Sequence, residues 1–356
     1  MNKEDLTNIL SNYFIVEPDD FKFQAFGAGL IHGTYLIEID QAKYILQEFN
    51  RNVFNYPDRI AHNQRLVKAQ GDESLLPFQL PLPIINSSNR LVTEWRERLF
   101  RLFDFVPGQT IQQITNLDQA YLAARAYGIF ADWGKIVDPA QLQECIPDFH
   151  RLDLRYATLQ AVSKSKVSLT NQEQELLDFY LGQEKLILQY NDYRNCLPLR
   201  LTHNDTKINN LIFSDDLTKV EALVDLDTLM GGYLMYDFGD LVRTVACSES
   251  ETSQNWINIH LKTSVFEQLL KGYWEGISSL ATEEEAKSLL LGGEVMTCLM
   301  GLRFLTDHLQ GNVYYKVAYP EQNFHRARNQ MLLLSSLQKA KPTLEIIWAS
   351  NVQVED

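Results

Sequence analysis

Basic residues are scarce in this chain: 32 Lys and Arg stand against 46 Asp and Glu in 356 residues, a net charge of −14 with a pI near 5.0. Nucleic-acid phosphates reward clustered Lys and Arg, so the shortage argues against a nucleic-acid partner. Cysteine is also rare. Cys145, Cys196, Cys247 and Cys298 lie far apart with no CxxC pair, which suggests neither a zinc site nor a disulfide framework. No uninterrupted apolar run reaches the length of about 18 residues that marks a membrane span. The opening MNKEDLTNIL lacks the basic-then-apolar order of a secretory signal. A cytoplasmic protein without membrane contact is the resulting expectation; nothing here sets an oligomeric state. What is present is ordinary for a soluble globular chain, 45% hydrophobic and 22% charged, and long enough for two lobes with their own cores.

The first hundred residues alternate as strands do. Runs at 21–26, 34–39 and 43–49 are β-rich and separated by Gly27-Ala28-Gly29, Gly33 and Asp40-Gln41, the pattern of antiparallel hairpins. Residues 57–71 carry helical spacing after Pro57. Strands are expected again at 83–85, 91–95 and 99–105, with a turn at Asn86-Ser87-Ser88-Asn89. Pro107-Gly108 breaks this pattern. Beyond it, apolar stripes of helical period run through 117–137, 172–193, 264–276, 283–299 and 324–337, interrupted by a hairpin over 211–226. The spacing predicts an α+β, two-lobed fold like that of the protein kinases: a β-rich nucleotide-binding lobe over 1–105 and a mainly helical lobe over 106–356.

Residues 201–213 read LTHNDTKINNLIF, and Val224-Asp225-Leu226-Asp227 comes at the end of an apolar strand. His203, Asp205 and Asn210 fit H-x-D-x-x-x-x-N, in which the Asp orients an attacking hydroxyl and the Asn binds a metal. An isolated HxD triplet is common by chance; Asn210, the strand after it and Asp225 give the motif its weight. Asp205 is the candidate catalytic carboxylate, and Lys207 is placed to offset charge on a transferring phosphoryl group. An ionised Asp225 at the end of an apolar strand needs a cation, and magnesium shared with Asn210 supplies one. Asp227 falls on the same face by strand period, as a ligand to a second ion or to the acceptor. His203 is expected to hold the loop by a hydrogen bond. Asp237, beside Phe238-Gly239, is expected to N-cap a helix running through Val245.

In the front lobe, Gly27, Gly29 and Gly33 allow a hairpin backbone to approach phosphates. A kinase carries a lysine on the third strand, paired with a helix glutamate. Here Gln47 takes that place, Lys43 lies at the strand's start, and residues 57–71 contain no Glu. An amide contact from Gln47 to Asn63 or Gln64 is the expected replacement. The main chain of Asp104 and Val106, at the crossing between lobes, is positioned to pair with the edge of adenine.

With these residues in view, the chain resembles the aminoglycoside phosphotransferase and choline kinase superfamily, and within it the N-acetylhexosamine 1-kinases. The likeness rests on THNDTKINNLIF, on VDLDTLMGGYLMYDFGDLVR, on Ile146-Pro147-Asp148-Phe149-His150 and on Gly301-Leu302-Arg303-Phe304-Leu305-Thr306-Asp307 through Tyr314. It implies ATP and Mg2+ as cofactors and transfer of the γ-phosphate to the anomeric hydroxyl of an N-acetylated hexosamine. It also implies that Asp205 faces the sugar C1 hydroxyl, that Asn210 and Asp225 hold magnesium, and that Arg303, Tyr314 and Thr228 belong to the sugar pocket. Three alternatives stand beside it. The same chemistry on choline, an amino alcohol, a ribose derivative or an aminoglycoside is one, and a catalytically dead nucleotide-binding module is another. The third is a sulfatase: Cys196-Leu197-Pro198-Leu199-Arg200 fits its C-x-P-x-R core but lacks the remaining signature, so Cys196 reads as an ordinary thiol.

Overall fold

A computed structural model describes residues 1–17, 19–26, 33–51, 54–165 and 168–353. Gly27 and Gly29, expected to cover phosphates, lie outside the described residues. The first helix, α1 (Lys3–Leu10), is N-capped by the Asn2 side chain, which accepts the Asp5 N–H at 2.8 Å. Leu6, Ile9 and Leu10 share one face at helical spacing and are fully buried. They pack on an antiparallel sheet built from β1 (Phe21–Ala25), β2 (Gly33–Ile39), β3 (Ala42–Phe49), β4 (Thr93–Trp95) and β5 (Arg98–Asp104), in the spatial order β1-β2-β3-β5-β4. Residues 83–85 form no strand, although the Ile84 N–H donates to the Leu102 carbonyl at 2.7 Å.

The period of two along each strand decides which side chains face which layer. Phe21, Ile37, Leu46, Phe100 and Leu102 join the core under α1. Gln47, Phe49, Leu99 and Arg101 point the other way, with Gln47 opposite Arg101 and Phe49 opposite Leu99 in the register of β3 and β5. Helix α2 (Pro57–Gln70) starts with proline in its first turn, where no N–H is needed. Its Ile60 joins Phe49, Phe54 and Leu99 in a small cluster that also takes Cys145 and Met230 from the C-terminal lobe. This second face is therefore the one turned to the other lobe.

The crossing between lobes depends on Gly108. Its φ is +132°, and a Cβ there would lie 2.3 Å from the Phe213 carbonyl oxygen. With no side chain in the way, Gln109 and Phe213 exchange two backbone hydrogen bonds of 2.9 Å. The crossing is thereby fastened to the hairpin of residues 211–223.

The C-terminal lobe comprises α3 (Leu117–Trp133), α4 (Leu152–Ser165), α5 (Asn171–Leu181), α6 (Glu184–Cys196), β6 (Arg200–Thr202), β7 (Leu211–Phe213), β8 (Val220–Leu223), β9 (Met230–Gly232), α7 (Leu234–Val245), α8 (Thr263–Ile277), α9 (Glu283–Leu309) and α10 (Gln322–Asn351). β6 pairs with β9 and β7 with β8, both antiparallel. The stripe over 172–193 is two helices, because the first ends at Gly182, whose N–H caps the Asp178 carbonyl. α9 is long and apolar enough to cross a membrane, yet most of it is buried among the other helices as a core element. α7 meets α9 at Gly239, where a Cβ would sit 2.2 Å from the Gly292 carbonyl oxygen. That close approach fixes the height of α7 and of the acidic side chain on its first turn.

Gly108→Ala is expected to destabilise the protein by about 1–3 kcal/mol, since it adds both a strained φ and a backbone clash. Chemical denaturation measures this; an unchanged midpoint would remove the constraint assigned to Gly108.

Candidate active site

β6 delivers the chain to His203, and Asp237 shapes the loop beyond it. The Asp237 carboxylate accepts the His203 N–H at 2.9 Å and the Asn204 N–H at 2.8 Å, while its carbonyl accepts the Thr206 hydroxyl at 2.6 Å. The helix begins at Leu234, so Asp237 is not its N-cap. It offers the hydrogen bonds expected of a cap, but to a loop distant in sequence. Asn204 takes a left-handed conformation, φ 64°, which asparagine tolerates. Its amide donates to the carbonyls of Thr202 and Thr228. The Thr228 hydroxyl in turn donates to the His203 carbonyl at 2.7 Å, and its side chain is buried. Thr228, expected in the sugar pocket, thus turns its side chain toward the loop and closes the backbone.

His203 joins the loop to the hairpin. Its Nδ1 accepts the Asp205 N–H, so Nε2 carries the proton and donates to the Val224 carbonyl at 3.0 Å. The Val224 N–H donates to the Asn210 carbonyl at 2.9 Å. Both polar groups of Val224 are thus tied to the loop, and the next residue, Asp225, is delivered beside Asn210. Asp225 has φ 62° and ψ 52°. An aspartate in that region is uncommon and persists where surrounding structure over-determines it.

Asp205, Lys207 and Asn210 converge. The Lys207 ammonium lies 2.6 Å from one Asp205 oxygen, and the Asn210 amide donates to the other at 3.2 Å and to the Asp205 carbonyl at 2.8 Å. The Tyr127 hydroxyl holds the Lys207 carbonyl at 2.8 Å. Burial pushes the Asp205 carboxyl up, but Lys207, His203 and Asn210 outweigh it and hold it below the usual carboxylate range. Burial likewise disfavours the Lys207 cation, yet Asp205 and Asp240 raise its pKa above the ordinary lysine value. At neutral pH the pair is carboxylate and ammonium.

Asp227 is paired across the cleft. Arg101 reaches from β5 and donates to its two carboxylate oxygens at 2.5 and 2.9 Å, both side chains being 3% exposed. The same guanidinium donates to Gln47 Oε1 at 2.5 Å. The expected contact of Gln47 with Asn63 or Gln64 is corrected by this arrangement. Asn63 donates to the carbonyls of Gln143 and Leu229, and Gln64 to Leu226 and Asp227. Gln47 stands opposite Arg101 on the sheet, so the nearer donor captures it. Asp104 ends β5, exposed, and Val106 is buried just beyond it at the crossing; Lys43 lies 3.5 Å from Glu38.

A second group gathers on α9. Arg303 donates to the Tyr314 hydroxyl at 3.3 Å and lies 5.2, 5.4 and 5.5 Å from the ring centres of Phe149, Tyr314 and Tyr315. Asp307, one turn further along α9, accepts the N–H groups of Tyr314 and Tyr315 and so places both rings. His150 stacks on Phe149. Its imidazole pKa is pushed down to about 3 by burial first and then by Arg303, against the opposing pull of Asp205 and Asn204. His150 therefore stands within electrostatic reach of both groups, linking the Arg303 cluster to the Asp205 loop. Cys196 is an exposed thiol at the end of α6, and Arg200 is committed to Glu285 at 2.8 Å.

This is a two-lobed α+β fold of kinase type. The profile of the phosphotransferase enzyme family matches residues 22–265, more than half of the chain, and the chain belongs to that family. Solved structures with the same fold include an aminoglycoside phosphotransferase from Alicyclobacillus acidocaldarius (13% identity, TM-score 0.60, covering 95% of this chain and 96% of that one). A choline kinase from Cryptosporidium parvum shares 12% identity at TM-score 0.60, over 98% and 99%. A spectinomycin phosphotransferase solved with ADP and spectinomycin shares 11% at 0.55, over 95% and 98%.

His150 is expected to stay neutral through the physiological range. Unfolding frees its imidazole to protonate near 6.5, so this group leaves stability undiminished above that value and lowers it progressively as pH falls from there toward about 3. NMR titration should show its ring resonances fixed between about pH 5 and pH 8; a midpoint near the ordinary value would contradict this environment.

Proposed function

We propose that this protein is a magnesium-dependent small-molecule kinase that transfers the γ-phosphate of ATP to the anomeric hydroxyl of an N-acetylhexosamine. Residues 1–105 form its nucleotide lobe and 106–356 carry the catalytic loop and the acceptor site. The observation that carries the reading is the double attachment of Val224 to the loop, which gathers Asp205, Lys207, Asn210 and Asp225 from two separate segments.

The donor set fits the cofactor. Asn210 and Asp225 present an amide and a carboxylate, hard oxygen ligands of the kind Mg2+ takes when substrate phosphates supply the rest. Bound there, Mg-ATP supplies an activated phosphoryl group whose charge the cation neutralises. The chain's own residues do the positioning. Asp205, ionised and held by Lys207 and Asn210, accepts a hydrogen bond from the acceptor hydroxyl and aims it in line. Its lowered pKa makes it a weak base, which suits a transition state in which the hydroxyl proton leaves late. Lys207, already charged beside Asp205, balances the equatorial oxygens of the moving group. The main chain of Asp104 and Val106 offers the adenine contact, and Gly33 lies at the edge of the glycine turn.

The acceptor end favours a neutral sugar over a cationic alcohol. Burial first, and then the charge of Arg303, lowers the Arg155 pKa, so two guanidinium groups share this wall. One face of each of Phe149, Tyr314 and Tyr315 is turned toward Arg303. Choline or an amino alcohol would bring a like charge to a surface already facing two guanidinium groups. Arg303 and Tyr314 are suited instead to hydrogen-bond hydroxyl and acyl oxygens.

ADP release measured over a panel of N-acetylated hexosamines, other sugars, choline and amino alcohols tests the acceptor class directly, and turnover only with the amines would overturn it. Asp205→Ala should lower kcat by about a hundredfold or more while ADP affinity is largely kept; near-normal turnover would remove Asp205 from the reaction. Arg303→Ala should raise the sugar KM about tenfold or more with little change in the ATP KM, whereas equal changes in both would argue against a sugar contact.

A further inference from the structure

Of the cationic side chains on the described strands of the N-terminal sheet, Lys22, Lys43 and Arg98 are exposed and Arg101 alone is buried. Its guanidinium lies 4.8 and 5.4 Å from the ring centres of Phe49 and Phe103, and its Nε has no hydrogen-bond partner. The Asp227 it pairs with comes two residues after Asp225 and receives a further hydrogen bond from Gln64. A buried ion pair with an unmet donor is a poor device for stability alone, because apolar groups of similar volume serve as well without the desolvation cost. Its place is informative. Gln47, where a strand lysine would bring charge to the nucleotide, carries none, and the guanidinium bonded to it supplies the missing charge. The two Asp227 oxygens also sit on Arg101 as two phosphate oxygens would, since a guanidinium takes either group in the same forked geometry.

We propose that Arg101 and Asp227 form a nucleotide-responsive latch. Without nucleotide, the pair spans the cleft between β5 and the segment Leu226–Thr228. When a nucleoside di- or triphosphate enters, Arg101 exchanges the carboxylate for phosphate oxygens, and the released Asp227 turns to the divalent cation that accompanies them. This rests on the phosphotransferase reading above and adds to it a phosphate-binding residue and a reason for metal and nucleotide to bind together. Asp227 competes for Arg101 and repels phosphate unless a cation offsets its charge.

The competition gives the latch a sign that a structural strut lacks. Calorimetric ADP titrations of the full chain, in excess Mg2+ and in EDTA, measure it. Asp227→Asn should tighten ADP binding several-fold in EDTA and shrink the gain that Mg2+ gives. Arg101→Met should weaken ADP about tenfold or more in both conditions, and Arg101→Lys should recover part of that loss. Thermal melts show whether each variant is folded. Nη resonances of labelled arginine in the wild type give a readout independent of any variant: the Arg101 signal should move on saturation with ADP. An unmoved Arg101 signal, or Asp227→Asn weakening ADP equally with and without Mg2+, overturns the latch. Failure of the wild type to bind ADP at all would instead sink the phosphotransferase reading.

Discussion

The loop that carries Asp205 has its shape because one buried carboxylate, Asp237, accepts two consecutive backbone N–H groups, those of His203 and Asn204. Successive N–H groups point to one acceptor only when the chain bends sharply, and the left-handed Asn204 makes that bend. Burial raises the Asp237 carboxyl to about 6, with His203 and the two N–H bonds pulling it down. These bonds, together with those from Asn204 and Thr228, leave little freedom to the backbone that carries Asp205. The height of Asp237 is set in turn by the glycine contact between α7 and α9. A helix-packing detail thus reaches Asp205 through a short chain of contacts.

Charge is arranged in linked pairs rather than as a single patch. Arg243, buried, bonds Asp240 at 2.8 Å and Glu251 at 2.5 Å, and Glu251 also takes Arg326 at 2.5 Å. Arg326 lies 3.6 Å over the Phe304 ring on α9, the helix that carries Arg303. Burial opposes the Glu251 charge, but Arg243 and Arg326 outweigh it, with Lys207 contributing, and its carboxyl falls to about 2. Lys207 therefore pairs directly with Asp205 at 2.6 Å, while the more distant Asp240 and Glu251 are committed to arginines.

Much of the site is legible in the sequence because its parts are close neighbours along the chain. Asp205, Lys207 and Asn210 lie within one loop, and the strand before Asp225 is a plain apolar run. The helical stripes of α3, α8 and α9 are similarly local. The features that escaped are those set by tertiary contact. Arg101 stands between Phe100 and Leu102, and nothing in its neighbours says that its sheet face is covered by a second lobe. Gln47 takes its partner by strand register, which sequence spacing does not give. Thr228 sits beside metal-binding candidates, yet its hydroxyl is claimed by a carbonyl 25 positions earlier. The start of α7 is hard to place because its polar side, Asp237, Asp240 and Arg243, is buried against the loop rather than exposed, and the first of these acids resembles a cap.

The proposed phosphoryl transfer depends on the convergence of the loop and the strand end around a nucleotide's metal. A crystal structure with Mg2+ and a non-hydrolysable ATP analogue tests this most directly. It should place oxygens of Asn210 and Asp225 about 2.1 Å from the metal, with Lys207 beside the terminal phosphate and Asp205 facing the acceptor side. A metal and triphosphate bound away from these residues would contradict the account.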